Sequence, residues 1–323
     1  MKKILYIIDE KLGHRLNPNN HVVIKRKYSR ENIYTNKFGW RIGDKEERYL
    51  KKKFTFFGCS WAMGLGNEYR KSILGHLEKI LNIKLNNLGV GGYSLLQIIL
   101  FIEKNIEQIK DSQIYIFFGS WQVDRCIKDQ ATPITYRPIL IRNIKNKKIV
   151  LRPPHNPPLF LVSLYFKINN YKNIFRLPLL YLILKISMVF HGNLRRYFEK
   201  ILYLQKWKRL NNQKNRIDIL NYCVDVLVNI TKKNNKKITV IHLPPGNKTV
   251  EQIKKNTSFD KNYFTKLSKN NDLINYIFLE KSYKEFINYI NDGQSKKIIW
   301  TDNNHPNDFG SKIIAKEVSN IIL

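Results

Sequence analysis

From Phe54 onward the chain alternates short apolar runs with stretches in which apolar residues recur every three or four positions. Runs of the first kind read as strands buried on both faces, and those of the second as amphipathic helices. Phe54 to Phe57 is the first strand, ending at Gly58. Ile73, Leu74, Leu77, Ile80 and Leu81 then fall on one helical face. A second strand is predicted around Lys84 to Leu88. Gly89, Gly91 and Gly92 break the chain before a helix striped by Leu95, Ile98, Ile99, Ile102, Ile106 and Ile109, and Gln113 to Phe118 is the third strand. The rhythm resumes with a helix marked by Ile217, Leu220, Val224, Leu227 and Val228. A fourth strand, Ile238 to His242, is closed by Pro244, Pro245 and Gly246, and a fifth lies near Tyr276 to Leu279. The last helix carries Phe309, Ile313, Ile314, Val318 and Ile321, with Pro306 and Asn307 suited to its first turn.

Strands alternating with helices imply an α/β domain, and right-handed crossovers wind five such strands into a doubly wound parallel sheet of flavodoxin-like type. Functional loops then gather at the carboxyl ends of the strands. The 323 residues suffice for one main domain, 1–323. Residues 1–50 precede the rhythm as an N-terminal extension. The apolar run Ile4 to Ile8, ended by Asp9 and Glu10, is too short for a secretory signal and reads as a strand. Residues 130–212 interrupt the rhythm with Pro, aromatic and basic residues, and are expected to form an insertion or cap within the domain.

Composition changes this picture in one respect. The formal charge is +32, from 57 Lys and Arg against 25 Asp and Glu. Half of it lies between Arg142 and Arg216, where Glu199 is the single acid. Much of the remainder is the Lys-rich bias of a chain abundant in Lys, Asn and Ile throughout, which calls for no designed patch. The stretch Ile174 to Phe190 is the most apolar but is interrupted by Arg176, Pro178 and Lys185. It falls short of the roughly 20 residues that span a bilayer, so a cytoplasmic protein, peripheral to the inner membrane at most, is expected. Cys59, Cys126 and Cys223 are too few and too scattered for a disulfide framework or a zinc site. The histidines show no metal-like spacing, and there is no Walker loop or dinucleotide fingerprint. No cofactor and no metal are expected.

Three short segments at predicted strand ends carry possible chemistry. Ser60 stands in Gly58-Cys59-Ser60-Trp61-Ala62-Met63-Gly64-Leu65-Gly66, between a strand and a helix. A hydroxyl there meets the free N–H groups and positive dipole end that favour an oxyanion, although a serine in that place also serves as a plain helix N-cap. Asp302-Asn303-Asn304-His305-Pro306-Asn307 puts a carboxylate three residues before an imidazole. Such a pair can act as base and orienter, or as a turn cap and a solvated ring. Asn87-Leu88-Gly89-Val90-Gly91-Gly92-Tyr93 ends the second strand and alone is only a turn.

In this order the three segments resemble the SGNH hydrolase (GDSL-like) family, and are similar in particular to bacterial members associated with surface-polysaccharide biosynthesis. The resemblance covers most of Phe54 to Leu323 and, more faintly, Asn36 to Arg41; the basic insertion is poorly covered. It implies Ser60 as nucleophile and first oxyanion donor, Gly92 as second donor, Asp302 as orienter and His305 as base. Two positions depart from the family pattern. Cys59 stands in place of the signature aspartate. Gly119-Ser120-Trp121-Gln122 stands where the family has Gly-x-Asn-Asp, so Trp121 replaces the third oxyanion donor, for which the Trp121 indole or the Gln122 amide is a candidate substitute.

The resemblance implies a serine esterase or acyltransferase acting on O-acyl groups, chiefly O-acetyl groups, of a carbohydrate through an acyl-enzyme. The alternative is a non-catalytic relative that binds a glycan or an anionic membrane with a degraded oxyanion hole. Residues 142–216 fit a cap over the site, or contact with an anionic membrane or a lipid-linked glycan. Nucleic acid is disfavoured, because no recognised module accompanies the charge.

Overall fold

The computed structural model describes residues 4–25, 30–43, 54–111, 113–128, 137–143, 149–154, 204–205, 213–245, 250–299 and 305–322. The N-terminal residues form a hairpin, β1 (Tyr6–Asp9) and β2 (Gly13–Leu16), followed by β3 (His21–Lys25), β4 (Arg30–Thr35) and β5 (Arg41–Ile42). Next come β6 (Phe54–Gly58), the single turn α1 (Ser60–Met63), α2 (Ile73–Leu81), β7 (Leu85–Gly89), α3 (Leu95–Asn105), β8 (Gln113–Phe118) and the short α4 (Trp121–Asp124). β9 (Ile139–Asn143), β10 (Ile149–Arg152) and β11 (Leu204–Gln205) make a separate antiparallel sheet in the order β10-β9-β11. The chain closes with α5 (Gln213–Asn234), β12 (Lys237–His242), α6 (Val250–Lys269), β13 (Ile274–Phe278), α7 (Glu280–Asn291) and α8 (Asp308–Ile322).

β13, β12, β8, β6 and β7 are parallel neighbours. Counted along the chain their spatial order is 2-1-3-4-5, the flavodoxin-like arrangement. The sheet is wider than five strands: β5, β4 and β3 continue it antiparallel beyond β7, giving eight in all. The added strands are short and carry charged residues at inward positions, so their sequence lacks the continuous apolar run of a central strand. The central parallel strands β6, β8 and β12 are largely apolar on both faces, and Phe56, Phe57, Ile114, Ile116, Phe117, Ile238, Val240 and Ile241 are buried between helical layers. Within 130–212 the described residues belong to the small antiparallel sheet. Residues 155–203 and 206–212, including the apolar stretch Ile174 to Phe190 and most of the basic, aromatic segment, lie outside the described residues. Among the described residues no helix is long and apolar enough to cross a membrane.

The carboxyl ends of β6 and β7 meet closely. Val90 N–H donates to Gly58 O at 3.1 Å, and Asn87 Nδ2 donates to Ala62 O at 3.0 Å, which ties α1 to β7. Gly89 lies so near α1 that a Cβ there would sit 2.1 Å from the Met63 backbone nitrogen. Because that neighbour is backbone, it cannot swing aside, and overpacking of this kind costs about 1–3 kcal/mol. Gly89→Ala should therefore lower the unfolding free energy by about 2 kcal/mol or more, seen as a lower urea midpoint at an unchanged slope.

Candidate active site

Ser60 is the first residue of α1, and Cys59, not Ser60, occupies the N-cap. Its hydroxyl is therefore not consumed in capping. Gly58 makes the turn possible, since a Cβ there would come 2.6 Å from Ala62 Cβ and 3.2 Å from Phe117 Cβ. The turn of helix ends at Gly64, which is left-handed (φ 76°). Ser60 is buried, with 5% exposure, and its Oγ lies 2.9 Å from His305 Nε2 across 245 residues of sequence. That is hydrogen-bond length and within reach of proton transfer.

The residues that follow His305 are bonded back to Lys296–Ile299. Pro306 pairs with Ile299 in an isolated antiparallel bridge. Asn307 N–H donates to Ile298 O at 3.0 Å, and Asn307 Nδ2 reaches Lys296 O and Lys297 O at 3.2 and 2.9 Å. Asn307 Oδ1 accepts from Gly310 N–H at 3.0 Å, which caps α8. The decisive link to the serine loop is Asn67, whose Nδ2 donates to Pro306 O at 2.8 Å. Asn67 is itself held, because its carbonyl accepts from Arg41 Nη2 at 2.8 Å while Arg41 Nη1 donates to Met63 O. Glu31 Oε2 accepts from Gly66 N–H at 2.8 Å in the same turn. Both charged side chains are fully buried. Burial pushes the Arg41 guanidinium pKa down, while the field of Glu31 favours its charged form.

Arg41 reaches this position because Asn36 to Trp40 form a compact turn. Asn36 Oδ1 accepts from the N–H groups of Phe38 and Trp40 at 2.9 and 3.0 Å. Gly39 (φ 82°) passes so close to Leu16 O that a Cβ would stand 2.7 Å from it.

The remaining sequence-predicted residues fall as follows. Gly92 is left-handed (φ 83°) in the loop after β7. Trp121 follows β8 with its ring over Gly119 and 5.2 Å from the ring of Trp61. Gln122 turns inward: its Nε2 donates to Phe117 O at 3.2 Å and its Oε1 accepts from Gly119 N–H at 3.3 Å, so its amide serves its own turn. Asp302 lies outside the described residues. Asn67 and Glu31 were not signalled by the sequence, because a polar residue in a glycine turn and an acid in an extension both read as surface.

A second serine–histidine pair lies nearby in the fold. Ser120 Oγ is 3.2 Å from His242 Nε2, and His242 Nδ1 is 2.7 Å from the Tyr276 hydroxyl. Arg216 packs beside them, bonding Asp260 through Nε and Nη2 at 2.7 and 2.5 Å, Asp124 at 2.9 Å and Ser120 O at 2.8 Å. His242 is buried among Phe118, Tyr276 and Phe278. Burial, then the charges of Arg216 and Lys261, push it down to about 3. So weak a base cannot serve at neutral pH, and the cluster instead pins the carboxyl ends of β8, β12 and β13. A cavity of about 330 Å³ at the opposite, amino ends of these strands holds none of the candidate residues.

No protein-family model and no curated protein matches the sequence. Solved structures do match in fold. An acetyl xylan esterase, AlAXEase, is 13% identical, covering 84% of this chain and 100% of its own, with a TM-score of 0.45. A catalytic mutant of Axe2, an acetylxylan esterase from Geobacillus stearothermophilus, is 13% identical, covering 84% and 94%, with a TM-score of 0.44. A structure described as a lipolytic protein of the G-D-S-L family from Desulfitobacterium hafniense DCB-2 is 11% identical, covering 84% and 99%, with a TM-score of 0.44.

The two buried imidazoles make stability depend on pH. Burial pushes His14 down to about 4 and His242 to about 3, from the ordinary 6.5. The unfolded chain thus takes up protons below about pH 6.5 that the folded chain refuses, so stability is full above that pH and falls as pH drops toward 4. Two such groups give a slope of at most about two protons, or roughly 3 kcal/mol per pH unit. Urea unfolding at pH 7, 6 and 5 should show it, and His242→Gln should remove about half of the slope.

Proposed function

We propose that this chain is an SGNH-type serine esterase or acyltransferase acting on O-acetyl groups of a carbohydrate. The observation that carries the reading is the 2.9 Å approach of His305 Nε2 to Ser60 Oγ. It is supported by the order of the glycine-turn, second-strand and C-terminal motifs. His305 takes the Ser60 proton as the hydroxyl oxygen attacks the ester carbonyl, and returns it to the departing sugar oxygen, leaving an acyl-serine. Water or a second hydroxyl then attacks the acyl-enzyme with His305 again as base. The N-terminal amide of α1 and the Gly92 amide stabilise the oxyanion, and Asp302 orients the imidazolium. The carbohydrate substrate follows from the likeness of the motifs to polysaccharide-associated members, and residues 142–216 supply basic and aromatic groups for a glycan or its lipid carrier.

One observation favours a second reading. Trp121 stands at the third-donor position and the Gln122 amide is used in its own turn. Loss of one oxyanion donor typically costs about 100 to 1000 in turnover. A binding protein without turnover would keep the fold and show no Ser60-dependent chemistry.

The purified protein should label with a fluorophosphonate and release acetate from a small acetyl ester or an acetylated oligosaccharide. Ser60→Ala should abolish both while the protein stays folded, since losing one buried hydrogen bond costs only about 1–3 kcal/mol. Labelling that persists in Ser60→Ala, or a wild-type protein that neither labels nor turns over, rejects the enzyme reading.

A further inference from the structure

The loop after β7 presents three successive carbonyl groups to side chains from other parts of the chain. Gly91 O lies 2.9 Å from His14 Nε2, Gly92 O accepts from Arg137 Nε at 3.1 Å, and Tyr93 O accepts from Arg125 Nη1 at 3.2 Å. A trans peptide is planar, so the carbonyl of one residue and the N–H of the next point in opposite directions. Whatever holds Gly91 O therefore also sets the direction of the Gly92 N–H.

His14 is well placed to do so. It lies in β2, is 3% exposed, and its ring sits edge-on between Tyr6 (5.3 Å, 88°) and Tyr93 (5.2 Å, 73°). Its own carbonyl accepts from the Tyr93 hydroxyl at 2.7 Å. The hairpin is fixed to the helices on either side of the loop, to α3 by Gln97 Nε2, which donates to Leu12 O at 2.8 Å, and to α1 by the Tyr6 hydroxyl, which approaches Met63 Sδ at 3.7 Å. His14 Nδ1 is buried and has no hydrogen-bond partner among the described residues. A buried N–H left without an acceptor costs about 1–3 kcal/mol. The proton of the neutral ring therefore resides on Nε2, where it meets Gly91 O, and burial keeps the ring neutral near pH 7.

We infer that His14 is a positioning residue that aims the Gly92 amide at the Ser60 site by holding the Gly91 carbonyl from behind. The inference rests on the reading of Gly92 as an oxyanion donor. It also explains why Gly92 is glycine although its surroundings are open: a Cβ there would meet only Arg137 Nη2, at 3.7 Å, so the requirement comes from the backbone conformation (φ 83°) that turns the peptide. With tryptophan in the third-donor position, the two remaining donors are both main-chain amides, and their value depends on being oriented before the substrate arrives.

The test compares His14→Leu with His14→Gln, whose amide nitrogen reaches the place of Nε2. Turnover of the acetyl ester and the amide resonance of Gly92 in protein labelled with 15N-glycine are read for both. His14→Leu should lower kcat about 10- to 100-fold with KM within about twofold, the signature of an interaction made in the transition state. It should also shift the Gly92 amide resonance. His14→Gln should recover kcat to within about fivefold and leave the resonance near its wild-type position. If His14→Leu keeps both kcat and the resonance, or if His14→Gln loses them as fully as His14→Leu, the inference is overturned. Should wild-type protein show no Ser60-dependent turnover, the esterase reading fails, while the Gly92 resonance still decides whether His14 holds the peptide.

Discussion

The contact between Ser60 Oγ and His305 Nε2 joins two loops from opposite ends of the parallel-sheet region, and the surrounding structure keeps them in register. Neither loop is rigid by composition, since one is rich in glycine and the other in asparagine. Ordering such segments costs roughly 1–2 kcal/mol per residue, so each needs bonds to fixed main chain. The serine loop gets them from Asn87 and Arg41, and the histidine loop from Asn307 and the Ile299 bridge. Asn67 then couples the two, with its side chain on Pro306 and its own carbonyl under Arg41. A short path of hydrogen bonds thus runs from β5 to the main chain of Pro306, the residue after His305.

That path begins in the N-terminal extension, which changes what the extension is for. A buried charge is tolerated only when its polar atoms are engaged, and Arg41 and Glu31 are both inside the molecule. Arg41 engages two carbonyls of the serine loop, and Glu31 takes the Gly66 N–H. The Arg41 Nε remains without a partner among the described residues, a cost accepted to place the other two nitrogens. His14 and Tyr6 press on the neighbouring glycine loop from the same extension. The eight-stranded sheet is therefore more than a widened edge: its antiparallel strands deliver the buried charges that hold the serine loop.

Much of this was legible in the sequence, and the reasons divide cleanly. The central parallel strands announced themselves as short, mostly apolar runs bounded by glycine or proline, and two of them are followed by a stripe of helical period, as in Ile73 to Leu81 after Phe54 to Gly58 and Leu95 to Asn105 after Leu85 to Gly89. That Ser60 and His305 meet was implied only by the family resemblance of the motifs in order, since each segment alone also reads as a cap or a turn. The antiparallel strands could not be read: Arg30–Thr35 alternates exposed and buried positions, but one buried position is Glu31, whose carboxylate is satisfied by a residue 35 positions away. Long-range polar pairing leaves no periodic trace. For the same reason the Ser120–His242 pair was invisible, and its enclosure, not its residue types, separates it from the pair at Ser60. The helix Val250–Lys269 was also missed, because lysine and asparagine dilute its apolar stripe.

The place after β8 poses the remaining chemical question, and the structure supplies an argument about it. Where the resemblance puts a side-chain donor, the chain has Trp121, packed over Gly119 and against Trp61, which in turn faces Phe286 at 6.2 Å. Ser60, beside Trp61 in α1, is only 5% exposed. Dipoles act more strongly where the effective dielectric falls, so in the proposed esterase the amides at the start of α1 and at Gly92 would gain strength from the enclosure that accompanies the loss of a third donor. Whether a hole of two donors performs as well as one of three then depends on how firmly those amides are held. The carbonyls on either side of Gly92 are fixed by His14 and Arg137, the kind of restraint such a compensation requires.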